Sequence, residues 1–334
     1  MTGASKRAGI TDVAKLAGVS LSTVSRAMNG NPTVDAALAA RVLAAAEELG
    51  YTANPVARSL VLGRTQTVAV VVPDLENPTF QAILRGLSRA ATVDGYHVLI
   101  ADSVEDLAEE RALAGTTRRR TDGVILCSPR MPQEELTALL PTLSPVVVIN
   151  RGPQDGAPVV AADYGAALGE LIDHLFTQGH RHLLYLAGST RSASHVARQE
   201  AISRAVTEHD GLRIDELPAG VGFASGTAAA DGVLASGATA VLAFNDLVAM
   251  GLLSELTARG LRVPEQLSIV GFDDIPFAAY ASPPLTTAAV PASELGERAW
   301  QAMRALLQDE EPTPFETLSP RTIVRGSTAP PPAS

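Results

Sequence analysis

Residues 10–30 read "ITDVAKLAGVSLSTVSRAMNG". Thr11 is placed to cap a helix over "DVAKLA", with Asp12 favourable to the helix dipole in its first turn. Gly18 breaks that pattern as a tight turn requires, and Ser20 can cap a second helix, "LSTVSRAM", ending near Asn29-Gly30. Two helices joined by a glycine-containing turn form a helix-turn-helix, whose second helix is shaped for the major groove of DNA. Val24 and Ala17 then point inward to hold the pair together, leaving Leu21, Ser22, Ser25 and Arg26 facing outward. Arg26 suits base reading, because a guanidinium can bond two acceptors on one guanine edge. Thr23, Ser25 and Asn29 are short donors suited to phosphates. Any helical hairpin shares such a turn, so this spacing alone is compatible with DNA reading and with plain packing.

A third amphipathic helix is expected from about Asp35 to Leu49, with Leu38, Val42, Ala45 and Leu49 on one stripe and Gly50 as its stop. Charge sharpens the picture. The 334-residue chain has a net charge of -10, yet residues 1–64 hold seven basic against four acidic residues, and the remainder 19 against 32. A head at +3 on a body at -13 is the asymmetry expected when only the head meets a polyanion. One cysteine, Cys127, excludes an internal disulfide and fits a reducing compartment. The polar "ITDVAK" stands where a signal peptide needs an apolar core, and no apolar run approaches the roughly 18 residues of a membrane span. A cytoplasmic protein without membrane attachment is expected.

From Val68 onward the periodicity changes. "TVAVVVPD", "YHVLIAD", "DGVILCS", "PVVVIN", "PVVAAD", "HLLYLAG", "AVLAFND" and "LSIVGFDD" are short, β-branched and almost wholly apolar. Helix-length segments such as Pro78–Asp94, Leu107–Arg120, Gly165–Gly179, Arg198–Asp210 and Asp246–Gly260 separate them. Strands buried on both faces and alternating with helices predict parallel α/β sheets, with enough repeats for two. Ligands in such folds sit beyond the carboxyl ends of the strands. Polar residues gather at those ends: Asp74, Asp102, Asn150-Arg151, Asn245-Asp246 and Asp273-Asp274.

The stretch at 10–30, followed by "VLAAAEELGYTANPVARSL", resembles the head of a lactose/galactose-repressor (LacI/GalR) family regulator. The likeness runs on in order through "VAVVVPDLENPTF", "DGVILCS", "GHRHLLYLAG", "AVLAFNDLVAMGLL", "RVPEQLSIVGFDDIP" and "SPPLTT". It implies a helix-turn-helix domain at 1–53, a hinge helix and linker at 54–64, and an effector-binding, dimerising body at 65–326. That body would be periplasmic-binding-protein-like, with one α/β subdomain at 65–161 plus 291–318 and the other at 162–290 plus 319–326. A disordered tail is expected at 327–334. The function implied is that of an allosteric DNA-binding regulator, usually a repressor, acting as a homodimer on double-stranded operator DNA. It would respond to a small-molecule effector, commonly a carbohydrate, with no cofactor.

Carried over by position, Leu21, Ser22 and Arg26 discriminate operators, Thr11 and Asn54 join the DNA-contacting set, and Arg58 is either a phosphate contact or a solvated charge. Leu60 matches the leucine that wedges into the minor groove and kinks the duplex; packing against its symmetry mate or the body is the alternative. In the body, Arg198, Asn245 and Asp273 match effector contacts, and such groups suit vicinal hydroxyls. Phe223 and Phe80 match residues on opposite walls of the cleft, or are ordinary core. Ser194 and Arg151 complete the candidate set. Asn245-Asp246 could equally cap the following helix. Val290 stands where a polar residue is common in the family, which would make one side of the pocket less polar.

An enzyme and a secreted binding protein are the competing readings. No G-x-S-x-G elbow or P-loop occurs, "GVGFASG" does not join a first strand to a helix, and His174, His180 and His182 lack metal-ligand spacing. A secreted binding protein would lack the helix-turn-helix.

Overall fold

The computed structural model describes residues 8–28, 33–51 and 63–332. Asn29, Asn54, Arg58 and Leu60, and with them the expected hinge helix, lie outside the described residues. The chain divides into two compact units, Met1–Gln66 and Thr67–Ser334.

The first unit contains α1 (Ile10–Ala17), α2 (Leu21–Met28) and α3 (Ala36–Glu48). Val13, Ala14, Ala17, Val24, Ala27, Val42, Ala45 and Ala46 form its core. The expected cap at Thr11 is corrected. Gly9 occupies the cap, Asp12 Oδ2 reaches back to accept the Gly9 N–H at 2.8 Å, and Thr11 sits exposed inside the first turn. A carboxylate at the third helical position can satisfy an end amide that Thr11 would otherwise have had to serve. Gly18 closes α1 at φ +65°, the left-handed region that glycine enters without a Cβ penalty. Arg41, on α3, donates to the carbonyl of Ala17 at that same end, so a cation from the third helix locks the turn. Ser20 Oγ accepts the Thr23 N–H at 3.2 Å, the expected cap, and Asp35 caps α3 by accepting the N–H groups of Ala37 and Leu38.

The second unit is built on two parallel sheets. The first has six strands in the order β11-β5-β4-β3-β1-β2: β1 (Thr67–Val72), β2 (His97–Asp102), β3 (Gly123–Cys127), β4 (Val146–Ile149), β5 (Val159–Ala162) and β11 (Phe315–Leu318). Helices α4 (Pro78–Val93), α5 (Leu107–Arg118) and α6 (Gln133–Leu143) connect its strands. The second has four strands in the order β7-β6-β8-β9: β6 (His182–Ala187), β7 (Arg213–Pro218), β8 (Ala240–Ala243) and β9 (Ser268–Val270). Its helices are α7 (Tyr164–Thr177), α8 (Ala193–Glu208), α9 (Phe223–Ala228), α10 (Ala230–Ser236) and α11 (Asp246–Ala258). A small antiparallel pair, β10 (Thr287–Ala289) with β12 (Arg321–Ile323), and α12 (Ala292–Leu307) complete the unit. The central strands β1, β3, β4, β6 and β8 are buried almost throughout, as near-continuous Val/Leu/Ile runs require.

Helices α4 and α12 cross at glycines. A Cβ on Gly86 would lie 2.0 Å from the Ser293 carbonyl oxygen, and one on Gly296 2.0 Å from that of Ile83. Trp300, on α12, anchors the crossing by donating from Nε1 to Asp94 at 2.6 Å.

Two expectations are corrected, and one edge strand was not foreseen. The edge strand β7, "RIDELP", is mostly polar and solvated, so it carries no apolar signature. Helix α8 begins five residues before Arg198. The chain is not disordered from 327: Ser327 is wholly buried, its hydroxyl donates to the Ile269 carbonyl at 2.6 Å, and His180 contacts the Ala329 carbonyl at 2.9 Å. The small side chains before the proline run fit against β9, and their backbone groups find partners there.

Candidate functional sites

On the helix-turn-helix, Leu21, Ser22 and Arg26 are exposed along α2, while Thr23 and Ser25 are half-buried. Arg26 Nε donates to the Ser22 carbonyl at 3.3 Å, and the Ser22 and Thr23 hydroxyls both bond to Ser20 Oγ at 2.8 and 2.9 Å. The serine cap thus organises the amino end of α2, and the one cation on the helix lies along its outer face.

In the body, the carboxyl ends of the strands of both sheets converge on a cleft. It is lined by Phe80, Ser194, Arg198, Asn245 and Asp273 from the candidate set, together with Asp74, Glu105, Arg130, Asn150, Tyr164 and Phe244. Several of the polar groups are held by neighbours in the fold. Asn245 caps α11 by accepting the Val248 N–H at 2.9 Å while its amide donates to the Val221 carbonyl at 2.8 Å, so capping and cleft placement coincide. Asn150 adopts φ 56° and gives its amide to Ser128 Oγ and the Tyr164 hydroxyl, at 3.1 and 3.0 Å. Arg130 forms a two-armed pair with Glu105, both contacts at 2.8 Å.

Arg198 is not held in this way. Its side chain is 2% exposed, and its guanidinium carbon lies 4.1, 4.3 and 5.3 Å from the ring centres of Phe272, Phe244 and Tyr164. Nε and Nη1 have no hydrogen-bond partner. A buried cation with two unmet donors is costly, and in a cleft it is a place for an acceptor to bind. Asp273 stands in its field. Burial pushes the Asp273 carboxyl up to about 6, against the opposing pull of Arg198. Asp273 sits at φ 108°, a conformation that costs a non-glycine residue about 1–3 kcal/mol. Its neighbour Asp274 is bound to Arg325 at 2.7 Å, which leaves Asp273 as the carboxylate of this turn that lines the cleft.

Two candidates are placed elsewhere. Phe223 heads α9 and is half-exposed, outside the cleft; Val221 lines that wall, because the backbone must turn away at Gly222 for α9 to pack on Gly251. Arg151 folds away from the inner cleft, donating to the carbonyls of Pro129 and Met131 and to Gln133, and lines an adjacent chamber. Val290 is buried and lines a neighbouring cavity that shares Thr79 and Asp273 with the cleft, rather than the cleft itself. Tyr164, Phe244 and Arg130 were not in the candidate set. The only signal they gave was position, immediately after an apolar strand or a few residues beyond one.

Comparison with known proteins adds two independent matches. Residues 9–54 match the pattern of "Bacterial regulatory proteins, lacI family", and residues 172–328 that of "Periplasmic binding protein-like domain". The chain is 32% identical to the HTH-type transcriptional repressor CytR of Escherichia coli K12 over 329 residues, 96% of each protein.

The chain belongs to the lacI family of bacterial regulatory proteins.

It is a DNA-binding transcription regulator of that family and not an enzyme. Among solved structures, the Lac repressor dimer bound to operator and an anti-inducer shares the fold, with a TM-score of 0.87 over 97% of this chain and all of that one, at 24% identity. The regulator CelR in complex with cellobiose gives a TM-score of 0.70 at 28% identity, over 96% of this chain and all of the other. No helix among the described residues is long and apolar enough to cross a membrane.

Proposed function

We propose that this lacI-family regulator is a cytoplasmic repressor that binds a pseudo-palindromic operator as a homodimer and is switched by a sugar or sugar derivative in the body's cleft. The observation that carries the effector reading is Arg198, buried and two donors short, beside Asp273, Asn245 and Ser194, with Tyr164, Phe244 and Phe80 as aromatic walls. Apolar ring faces with a few convergent polar groups are the usual composition of a small-molecule site. Arg198 and Asp273 together can bond a vicinal diol, one donating and the other accepting. The cellobiose complex of CelR supports this ligand class.

For DNA, Leu21, Ser22 and Arg26 read base edges while Thr11, Thr23 and Ser25 position the backbone; Asn29, Asn54, Arg58 and Leu60 are assigned from the resemblance alone. Dimerisation would cover the apolar edge strand β2, where Leu99 and Ile100 are 39% and 46% exposed, and Phe277 and Tyr280 in the other subdomain. The subdomain limits near 161, 290 and 318 belong to the same proposal.

Selecting bound fragments from genomic DNA tests the reading. The expected product is a pseudo-palindrome with half-sites about one helical turn apart, released or tightened by a sugar in a manner that depends on Arg198. Sequence-blind binding with only a steep salt dependence overturns it.

A further inference from the structure

Beside the inner cleft lies a larger chamber of about 540 Å³, and Arg130 and Ser192 line both. The inner space is only about 40 Å³, room for about three waters. The outer chamber has an apolar floor of Leu107, Met131 and Val196, and three guanidiniums at its walls: Arg130, Arg151 and Arg191. These cations are not equivalent. Arg130 is neutralised by Glu105. Arg151 finds only neutral acceptors, the Pro129 and Met131 carbonyls and the Gln133 amide. Arg191 is exposed and pairs with no acidic side chain among the described residues.

The same wall is the amino end of α8, a 16-residue helix whose cap, Ser192, makes no side-chain bond to a backbone amide of the helix. Its hydroxyl bonds Ser194 Oγ at 2.7 Å instead. The first amides of a helix have no partner within it, and its dipole favours negative charge there. Two acidic groups are near. Glu110 is buried behind the wall and accepts the amides of Arg130 and Met131; burial pushes its carboxyl up. Glu200 lines the chamber further along α8 and is exposed. Neither pairs with Arg151 or Arg191 by direct contact.

We propose that the effector carries an oxyanion, a phosphate or carboxylate, seated in this outer chamber against Arg151, Arg191 and the amino end of α8. This rests on the cleft being the effector site, and it narrows the ligand from a neutral sugar to an anionic one that spans both spaces. Arg198 and Asp273 hold the polar end in the inner cleft, and the oxyanion pairs with two cations that no carboxylate contacts directly.

The test uses the full chain and inorganic phosphate as the probe, by titrated thermal melting against sodium chloride at matched ionic strength. Phosphate is expected to raise the melting temperature of the wild type, and Arg151→Gln/Arg191→Gln to weaken its apparent Kd at least tenfold. Arg191→Gln alone, on an exposed side chain, is expected to weaken it at least threefold and guards against misfolding of the double variant. An equal phosphate effect in wild type and Arg191→Gln, or none in wild type, overturns the proposal. The two readings separate cleanly. Neutral sugars binding through Arg198 without any phosphate effect leave the cleft in place and refute the anionic effector. A phosphate effect lost in Arg191→Gln supports the chamber even where no neutral sugar binds.

Discussion

Replacing Arg198 by Met distinguishes a ligand-binding arginine from a structural one. The wild-type guanidinium leaves Nε and Nη1 without partners in a buried site. Each such donor costs about 2 kcal/mol, so relieving both contributes roughly 4 kcal/mol to the variant. Against this stand three ring contacts, with Phe272, Phe244 and Tyr164, at about 1 kcal/mol each. Methionine keeps most of the packing. The terms nearly cancel, and the expected change in stability is within about 1–2 kcal/mol, a melting shift of no more than roughly 6 °C. Effector affinity behaves differently. Two charge-assisted bonds at about 1.5 kcal/mol or more each are lost, roughly 100-fold in Kd. The assay pairs thermal melting of the unliganded chain with calorimetric titration of whichever sugar the wild type binds. A fall of more than about 10 °C in melting temperature would refute the reasoning, since breaking a satisfied buried ion pair costs about 3–5 kcal/mol. Unchanged sugar affinity would refute the role itself.

Further expectations follow from the same geometry. The Asp273 carboxyl, raised to about 6 by burial, binds ligand hydroxyls only as the carboxylate. Affinity should therefore be level above pH 6 and fall about tenfold per pH unit below it; a flat titration from pH 7 to 4.5 excludes this, and Asp273→Asn should abolish the slope. At the crossing of α4 and α12, Gly296→Ala places a methyl 2.0 Å from the Ile83 carbonyl, so a loss of about 3 kcal/mol in urea denaturation is expected, and a neutral effect would mean the helices can part. Arg26→Ala should cost about 1–3 kcal/mol on the selected operator and much less on random DNA, measured by competition binding; equal losses on both would reassign Arg26 to phosphate contact.

The helix-turn-helix was legible because its signals are local: a glycine at the left-handed turn, a serine cap, an aspartate in the first turn, and Val24 on the inner face. The strands were legible because burial on both faces forces apolar runs. Edge strand β7 and the three-residue strands β10 and β12 escaped notice, since solvated or very short segments carry no such run. Asp74, Asn150, Asn245 and Asp273 announced the cleft as polar residues following apolar strands. Tyr164 and Phe244 did not, because an aromatic that faces a ligand and one that faces the core look alike along the chain. Phe223 shows the reverse error: its place in the resemblance pointed to the cleft, and the turn at Gly222 carried it out.

By itself the sequence determined the order of elements, the separation of a basic head from an acidic body, and the family. Those follow from periodicity, capping chemistry and charge, which are properties of neighbours along the chain. Tertiary structure alone decided which polar groups remain unmet. Asn245 caps a helix while still lining the cleft, Asp274 is taken by Arg325, Arg130 is paired with Glu105, and Arg198, Arg151 and Arg191 are left without a carboxylate bound to them. Whether a donor has a partner depends on residues distant in sequence brought within about 3 Å, and that unmet capacity is what a ligand can bind.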